Sequence, residues 1–265
     1  MTLGATRGAS AGVMRASLTI ATGGLVRTAR TPSLLVQSLF FPTFFLVVYS
    51  GLYAAVVRLE GFPTDSVENW YVPFMMLQGG AFAGVNAGFG AGIAIQSGYF
   101  ERQLLYPVPR ISLMLGTILN TLARGLFVAT FVLGVGLVLG ARPTGGLVGF
   151  VLLYLAVSGV CVGAAGWALG LMYRAKDQRI APLFPIGIFV TLFVSTAQVP
   201  IDIAQGWLQR VARINPITNV LRLARQSFLD SGVSWADTWG GLLAVAGMVV
   251  VLGWFGWSGL RKYVS

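Results

Sequence analysis

Long apolar segments constrain the fold of this 265-residue chain more than any other feature of its sequence. A helix needs about 20 apolar residues to cross the roughly 30 Å hydrocarbon core of a bilayer. Six segments have about this length: Leu34–Val57, Val72–Ile95, Leu113–Leu139, Leu147–Met172, Ala181–Gln198 and Gly241–Leu260. Only 10% of the residues are charged, against about a quarter in soluble domains. The sequence therefore predicts an all-α polytopic membrane protein with six transmembrane helices.

Lys and Arg are unevenly distributed between the segments that connect these spans. With both termini in the cytoplasm, eleven Lys and Arg residues fall in cytoplasmic segments and six in outer segments. Since positive residues concentrate on the cytoplasmic side, we expect both termini and the segments 98–110 and 173–179 to be cytoplasmic. The net charge of +10 is not gathered into a basic run, which argues against a nucleic-acid partner.

Several classes of activity need residues that this sequence lacks. It contains no His, which excludes His-dependent zinc proteases and Ser–His hydrolases. The predicted spans contain no Asp or Glu. This disfavours carriers coupled to protons or sodium ions, and it excludes transferases that hold magnesium with clustered acids. A single Cys161 excludes a disulfide framework.

The sequence also lacks a phosphate-binding loop of the GxxxxGK[ST] type. That motif requires a lysine after a glycine, whereas Lys176 follows Ala175 and Lys262 follows Arg261. We therefore expect no catalytic residue, cofactor or metal on this chain. If transport is active, its energy must come from another polypeptide.

Glycines recur every four residues in two of the spans. They are Gly80, Gly84, Gly88 and Gly92 in the second span, and the pairs Gly159/Gly163 and Gly166/Gly170 in the fourth. Glycine ladders let helices approach closely in a membrane. They predict either packing within one bundle or a subunit interface or moving seam.

Aromatic residues crowd the first span around Pro42. They are Phe40, Phe41, Phe44, Phe45 and Tyr49. These rings either face lipid or form the wall of a path for an apolar substrate. We assign three polar residues to the same candidate path: Gln78, Asn86 and Gln198.

Arg124 is the one ionisable residue that we place inside a span, one helical turn after Asn120. A buried arginine is costly in a membrane unless it reaches the interface or finds a partner. It therefore either extends to the cytoplasmic interface or contacts lipid headgroups or a polar cavity.

The segment SGYFERQLLYPVPR lies between the second and third spans. Gly98 ends the second span, and Pro107 and Pro109 prevent one continuous helix. About two helical turns remain, from Tyr99 to Tyr106. Their aromatic side chains and mixed charges suit docking into a groove on a soluble partner, and a plain turn is the alternative.

The segment before the first span has an amphipathic pattern. Met14, Leu18, Ala21 and Leu25 share one helical face, and three arginines occupy a separate sector: Arg15, Arg27 and Arg30. This pattern predicts a helix that lies in the inner interface and is held by anionic headgroups.

Two short helices are predicted between the fifth and sixth spans. The first carries an apolar stripe within Asp202–Arg213, and the second begins at Asn215 and Pro216, a favoured cap and first-turn residue. One face of the second helix is apolar, with Arg222 and Arg225 placed elsewhere.

Two runs of the sequence resemble type-2 ABC (ATP-binding cassette) exporter permeases. GYFERQLLYPVPRISLMLGTILNTLARGLF resembles their coupling helix and third membrane helix, with a small residue, an acid and a base, then LL, Pro, Arg and later LG and RG. VPIDIAQGWLQRVARINPITNVLRLARQSFLDSG resembles their outer segment, where Asn-Pro opens a helix with a downstream Arg. With six spans in the expected order, the resemblance covers essentially the whole chain. It points to exporters that use a single kind of ATPase subunit, of the daunorubicin-resistance and nodulation-factor-export types.

The resemblance assigns roles to the candidate residues. It implies that the short cytoplasmic helix is a coupling helix pressed into an ATPase subunit. We assign this contact to Tyr99, Phe100, Glu101, Arg102 and Leu104, with Glu101 and Arg102 as the main pair. It implies that the N-terminal interfacial helix also touches the ATPase. It further implies that the outer helices, with Asn215, Pro216, Arg222 and Arg225, are re-entrant and close the exit, and a simple surface cap is the alternative.

The resemblance also implies a function and a domain organisation. Residues 1–265 would form one permease domain, with an interfacial helix in 1–33, the coupling helix in 98–110 and the outer helices in 199–240. Two permeases, identical or sister chains, would assemble with two ATPase subunits that bind ATP and Mg in a bacterial plasma membrane. They would export an amphipathic drug, lipid or glycolipid. The alternatives are a polysaccharide exporter permease, a non-transporting membrane anchor or signalling partner of an ATPase, and a passive pore.

Overall fold

Ten α-helices form the main structure of the described residues, with two short 3-10 helices at Val56–Arg58 and Gln178–Ile180. The computed structural model describes residues 3–30, 33–58, 60, 62–229 and 232–264. Residues 1–2, 31–32 and 230–231, within the predicted interfacial and outer segments, lie outside the described residues. In chain order the helices are α1 (Leu3–Arg30), α2 (Ser33–Leu52), α3 (Val67–Gln96), α4 (Tyr99–Leu104), α5 (Ile111–Leu139), α6 (Gly146–Ala175), α7 (Leu183–Phe193), α8 (Gly206–Ile214), α9 (Pro216–Arg225) and α10 (Trp235–Val264).

Three of the described helices, α5, α6 and α10, are long and apolar enough to cross a membrane on length and composition alone. Two shorter apolar helical stretches lie at Ser38–Leu52 in α2 and at Gln178–Phe193 around α7. The predicted second span is the 30-residue helix α3, which Ser66 caps by accepting a hydrogen bond from the Asn69 N–H at 3.2 Å. The described residues contain helices and no strands, and the chain is a membrane protein, as its apolar segments predict.

The predicted fifth span, Ala181–Gln198, contains a much shorter helix than its apolar length suggests. Helix α7 has only 11 residues. At 1.5 Å per residue it is about 16 Å long, roughly half the thickness of a hydrocarbon core. Residues 194–199 continue as turns and bends. Because lipid cannot satisfy irregular backbone, the carbonyls of this segment need donors from elsewhere in the protein.

Helix α6 packs against both α3 and α10 through glycines. A Cβ atom added to Gly84 of α3 would lie 2.7 Å from the Cβ of Ala164 in α6. One added to Gly166 of α6 would lie 2.6 Å from the carbonyl carbon of Leu252 in α10. These distances leave no room for a side chain. Both glycine ladders are therefore packing seams within this chain, the first of the two alternatives.

Helix α1 packs along α5 through small side chains. Ser17, Ala21 and Thr28 are buried, and Gly24 lies directly against the side chain of Asn120 in α5. Close packing of this kind depends on residues without bulky side chains.

The apolar face predicted for α1 is divided by this contact. Ala21 is buried, whereas Met14, Leu18 and Leu25 are exposed. The sequence pattern groups these four residues by polarity, but it carries no information on which side of α1 packs against α5. The three arginines of α1 are exposed as expected: Arg15, Arg27 and Arg30.

Candidate functional site

Helix α4, which connects α3 to α5, is fixed to the bundle by an aromatic contact. Gly98 adopts a left-handed conformation with φ +66°, which glycine accepts without strain, and reverses the chain after α3. The buried Phe100 ring stacks on Tyr173 of α6 with centroids 5.5 Å apart and meets the edge of Tyr263 of α10 at 5.2 Å. The structure thus places Phe100 in the core of its own chain, where its ring faces α6 and α10.

Glu101 is bound to the same end of α10. The Tyr263 hydroxyl donates a hydrogen bond to Oε1 of Glu101. The ammonium of Lys176 lies 4.4 Å from the centre of the Tyr263 ring. The Tyr263 hydrogen bond, followed by a backbone hydrogen bond of Glu101 itself and the charge of Lys176, lowers the pKa of the Glu101 carboxyl. Arg102 is exposed and forms no ion pair with a described residue, so the two neighbours do not pair with each other.

Several side chains of α4 and of the residues directly after it are exposed. Tyr99 is 52% exposed, and Leu105 and Tyr106 are 85% and 65% exposed. Leu104 is half-buried. Sequence reasoning singled out Tyr99 and Leu104 but missed Leu105 and Tyr106. The sequence signal that could have identified these two residues is their position: two large side chains stand directly before Pro107, in a connection that also carries charged residues.

Arg225, the last residue of α9, is buried and only 2% exposed. Its guanidinium donates to the carbonyls of Thr196 and Ala197, each at 2.8 Å, and to the carbonyl of Trp70 at 3.3 Å. Arg222 is exposed. Unlike Arg222, Arg225 is buried, because the carbonyls of the segment after α7 require a buried donor.

Asn215, between α8 and α9, satisfies the carbonyls at the end of α7 itself. Its Nδ2 donates to the carbonyls of Thr191 and Val194 at 2.7 and 2.9 Å. Its Oδ1 accepts from the Ile217 N–H at 3.0 Å, and Pro216 occupies the first turn of α9, as the sequence predicts. We call the side chains of Asn215 and Arg225 together the α7 cap.

Gln198 lies beside the α7 cap and takes part through its backbone. Its carbonyl accepts hydrogen bonds from Nε1 of Trp70 at 3.2 Å and from the hydroxyl of Tyr71 at 2.9 Å. The irregular segment after α7 is thereby bound to the N-terminal part of α3 as well as to α9.

The aromatic residues of α2 form a continuous column. Ring centroids are 5.7 Å apart between Phe40 and Phe44, 6.4 Å between Phe41 and Phe45, and 5.7 Å between Phe45 and Tyr49. Phe40, Phe41 and Phe44 are exposed, whereas Tyr49 is buried. The column therefore offers rings at its surface and is fixed at its Tyr49 end.

A groove with a cavity volume of about 60 Å³ lies between α2, α3 and α7. Its lining residues are Ser38, Phe41, Phe82, Val85, Asn86, Phe89, Pro185 and Phe189. Asn86 Nδ2 donates to the Ser38 hydroxyl at 2.9 Å, which places one polar pair among aromatic rings. Of the predicted path residues, the groove brings together Phe41 and Asn86, while Phe40 and Phe44 lie outside its lining.

Two further polar side chains are buried within the helices. Gln78 is fully buried, and neither of its amide atoms has a hydrogen-bond partner among the described residues. Arg124 is 8% exposed, which favours a polar contact inside the bundle over extension to the interface. Within the part of the chain that the structure describes, no three His, Cys, Asp or Glu side chains are placed to hold a metal ion.

The profile of the family described as ABC-2 type transporter matches residues 16–229. This chain belongs to the ABC-2 type transporter family. The match contains α4, the groove and the α7 cap. It ends before α10, so Tyr263 lies outside it.

Three relatives are similar in sequence to this chain over most of its length. The daunorubicin resistance ABC transporter permease protein DrrB1 of Streptomyces coeruleorubidus is 26% identical over 247 residues, 92% of this chain and 86% of the relative. The putative transport permeases ycf38 of Cyanophora paradoxa and Pyropia yezoensis are 27% and 25% identical over 218 and 216 residues. Each of these alignments covers 79% of this chain and 72% of the relative.

These findings confirm the resemblance to type-2 ABC permeases. The chain is a membrane transport permease subunit, and permeases of this family normally work with an ABC ATPase on a separate subunit.

Proposed function

We propose that this ABC-2 permease is the membrane-spanning subunit of an ATP-driven exporter in a bacterial plasma membrane. Its cargo is an amphipathic drug, lipid or glycolipid taken from the cytoplasm or the inner leaflet. The relative named for daunorubicin resistance supports a drug-like cargo. The exposed rings of α2 support it as well, because aromatic surfaces pack well against rings and acyl chains.

The proposed topology has six spans and both termini in the cytoplasm. The spans are α2, α3, α5, α6, α7 with the segment that follows it, and α10. The excess of Lys and Arg in the connections on one side supports this orientation. It places α4 in the cytoplasm and the α7 cap on the outer side.

The attachment of α4 is the observation that carries the proposal. Phe100 and Glu101 hold α4 against α6 and α10, while Tyr99 and Arg102 remain exposed. A soluble subunit that moves α4 therefore also moves the ends of two long helices. This refines the predicted coupling set: Phe100 and Glu101 hold the helix, and Tyr99, Arg102, Leu105 and Tyr106 contact the ATPase.

The active assembly contains two permeases, identical or sister chains, and two ATPase subunits that bind ATP and Mg. ATP shifts the permeases between two arrangements only if the ATPase binds those arrangements with different affinity. The exposed arginines of α1 supply a second contact with the ATPase or with headgroups. The outer helices α8 and α9 close the exit, and the groove between α2, α3 and α7 is the first part of the cargo path.

The coupling proposal is tested by changing exposed residues near α4 in the complex that copurifies with its ATPase. Arg102→Glu together with Leu105→Ala should reduce daunorubicin-stimulated ATP hydrolysis in lipid vesicles about tenfold, as expected from loss of an interface hot spot. Arg58→Glu, at another exposed arginine outside the proposed coupling and exit helices, is the control and should leave stimulation unchanged. Wild-type stimulation in the double variant would contradict the coupling role of α4.

A further inference from the structure

A cavity of about 160 Å³ lies between the N-terminal end of α5 and the C-terminal end of α10. It is lined by Arg110, Trp257, Leu260, Arg261 and Val264. Two arginines thus line one cavity whose remaining lining residues are apolar. A single water needs only about 15 Å³ of such space, so the cavity has room for a larger group.

The positive charges of this cavity are not neutralised within the described part of the chain. Arg110 and Arg261 are exposed, and neither forms an ion pair with a described residue. The Glu101 carboxylate accepts from Tyr263, and Asp177 is paired with Arg179. Two like charges beside one cavity repel each other, and an anion between them removes that repulsion.

The end of α5 adds to the positive potential. Arg110 is the N-cap residue of α5 and makes no side-chain cap hydrogen bond. The N-terminus of a helix carries a partial positive charge, and here it adjoins the two guanidinium groups. The cavity therefore favours a ligand with a concentrated negative charge, such as a phosphate group.

We infer that this cavity binds the phosphate of an anionic phospholipid headgroup. Both helices that form it, α5 and α10, are long and apolar enough to cross a membrane, and the two arginines stand at adjacent ends of them. Trp257, Leu260 and Val264 supply apolar surface for the glycerol and the upper acyl chain. Tryptophan is enriched at the level of membrane headgroups, and basic pockets between membrane helices bind anionic headgroups on the cytoplasmic side.

A bound headgroup at this position stabilises the end of α10 that also holds the coupling helix. Arg261 is two residues before Tyr263, whose hydroxyl binds Glu101 of α4. Anionic lipid thereby acts on the position of α4 without contacting it. The assignment to the cytoplasmic leaflet rests on the proposed topology, whereas the ligand chemistry does not.

Native mass spectrometry of the detergent-purified permease tests the site. Phosphatidylglycerol and phosphatidylcholine with identical acyl chains are titrated separately, and adducts are counted. We expect phosphatidylglycerol to bind preferentially to the wild-type chain. Arg110→Gln together with Arg261→Gln should weaken this binding by roughly tenfold or more. Arg210→Gln with Arg213→Gln in α8 removes the same charge from two other exposed arginines and should leave it unchanged.

Three results would overturn the inference. The first is equal binding of the two lipids to the wild-type chain, and the second is wild-type phosphatidylglycerol binding by the Arg110/Arg261 variant. The third is displacement of phosphatidylglycerol by an excess of inorganic phosphate, which would assign the cavity to a soluble phosphate compound. If the variant loses copurified ATPase but keeps its lipid, the two arginines contact protein instead. Because lipid binding is measured without ATP, the inference can fail while the proposed export function stands.

Discussion

The guanidinium of Arg225 lies over the indole of Trp70, with its central carbon 3.3 Å from the ring centre. The same guanidinium donates to three backbone carbonyls, two of them in the irregular segment after α7. Arginine suits this position because its planar fork can stack on a ring and donate in several directions at once. The contact joins α9, α3 and the segment after α7. This explains how the irregular backbone that follows the short helix α7 is satisfied.

Arg225→Ala should lower the free energy of unfolding by about 3 kcal/mol or more, because it leaves buried carbonyls without donors. The apparent melting temperature of the detergent-purified chain measures the effect. Arg225→Lys should recover only part of the loss, since one ammonium cannot reproduce the fork. Arg222→Ala, at an exposed position in the same helix, should change stability by less than about 0.5 kcal/mol. Equal melting temperatures for Arg225→Ala and Arg222→Ala would exclude a stabilising role for the buried guanidinium.

Asn215 can be tested for its two roles separately. Asn215→Asp keeps the oxygen that caps α9 but removes the donor to the Thr191 and Val194 carbonyls. We expect Asn215→Asp to destabilise the end of α7 while α9 persists. Hydrogen exchange measures this effect: in Asn215→Asp, exchange at residues 190–197 should be faster than in wild type, whereas exchange at residues 217–224 should be unchanged. Asn215→Ala should loosen both segments, with a capping loss of about 1 kcal/mol. Unchanged exchange at residues 190–197 in both variants would show that the α7 cap does not hold this segment.

The positions of the long helices and the capping residues of α9 could be predicted from the sequence, because both depend on local patterns. Apolar length defines a span, and Asn-Pro defines a helix start. The α7 cap could not be predicted in the same way. The need for a donor arises at Thr196, but the donor Arg225 lies 29 positions further along the chain. No local periodicity indicates that an arginine beside an apolar face turns inward.

Phe100 illustrates the same limit for the candidate coupling site. The sequence predicts a short helix with an aromatic side chain, and the structure confirms the helix. Which partner covers the ring depends on where α6 and α10 end, and the Tyr263 bound to neighbouring Glu101 lies 162 positions away. A sequence pattern cannot distinguish a ring buried in its own bundle from one offered to another subunit.

Tyr263→Phe should uncouple α4 from α10 while keeping the aromatic contacts of the ring. The variant loses the hydrogen bond that lowers the Glu101 pKa. We therefore expect weaker substrate-stimulated ATP hydrolysis, with normal amounts of protein in the membrane. Tyr154→Phe in α6 removes a hydroxyl that is hydrogen-bonded to Thr130, away from α4, and serves as the control. Full stimulation in Tyr263→Phe would argue against a role of this hydrogen bond in coupling.

The hydrogen bond between Tyr263 and Glu101 also predicts how the stability of the protein depends on pH. Because the folded-state pKa of Glu101 is lowered, its hydrogen bond contributes stability above the ordinary carboxyl pKa. That contribution is lost as the pH falls through the lowered value. The difference in melting temperature between wild type and Tyr263→Phe should be present near pH 7 and disappear in strong acid. A difference that grows on acidification would contradict the assignment of the pKa shift to this bond.

Gly84 is expected to tolerate no side chain. Gly84→Ala places a Cβ against Ala164 and the backbone of Ala165 in α6, and overpacking of a tight seam typically costs about 1–3 kcal/mol. Gly90→Ala, in the same helix with open space around the added atom, is the matched control. Fluorescence-detected size-exclusion after heating should show a lower melting temperature for Gly84→Ala only. A similar response of both variants would mean that helix propensity, rather than the seam, decides stability.

Phe41 and Phe40 are adjacent aromatic residues of α2, but only Phe41 lines the groove with Asn86. If cargo enters through this groove, Phe41→Ala removes apolar contact from the path. The daunorubicin concentration for half-maximal ATPase stimulation should then rise about tenfold, as expected for loss of one large apolar contact. Phe40→Ala removes the same ring from an exposed site outside the groove and should leave this concentration unchanged. If both variants shift it equally, the column acts as a general lipid-facing surface, and the cargo path lies elsewhere.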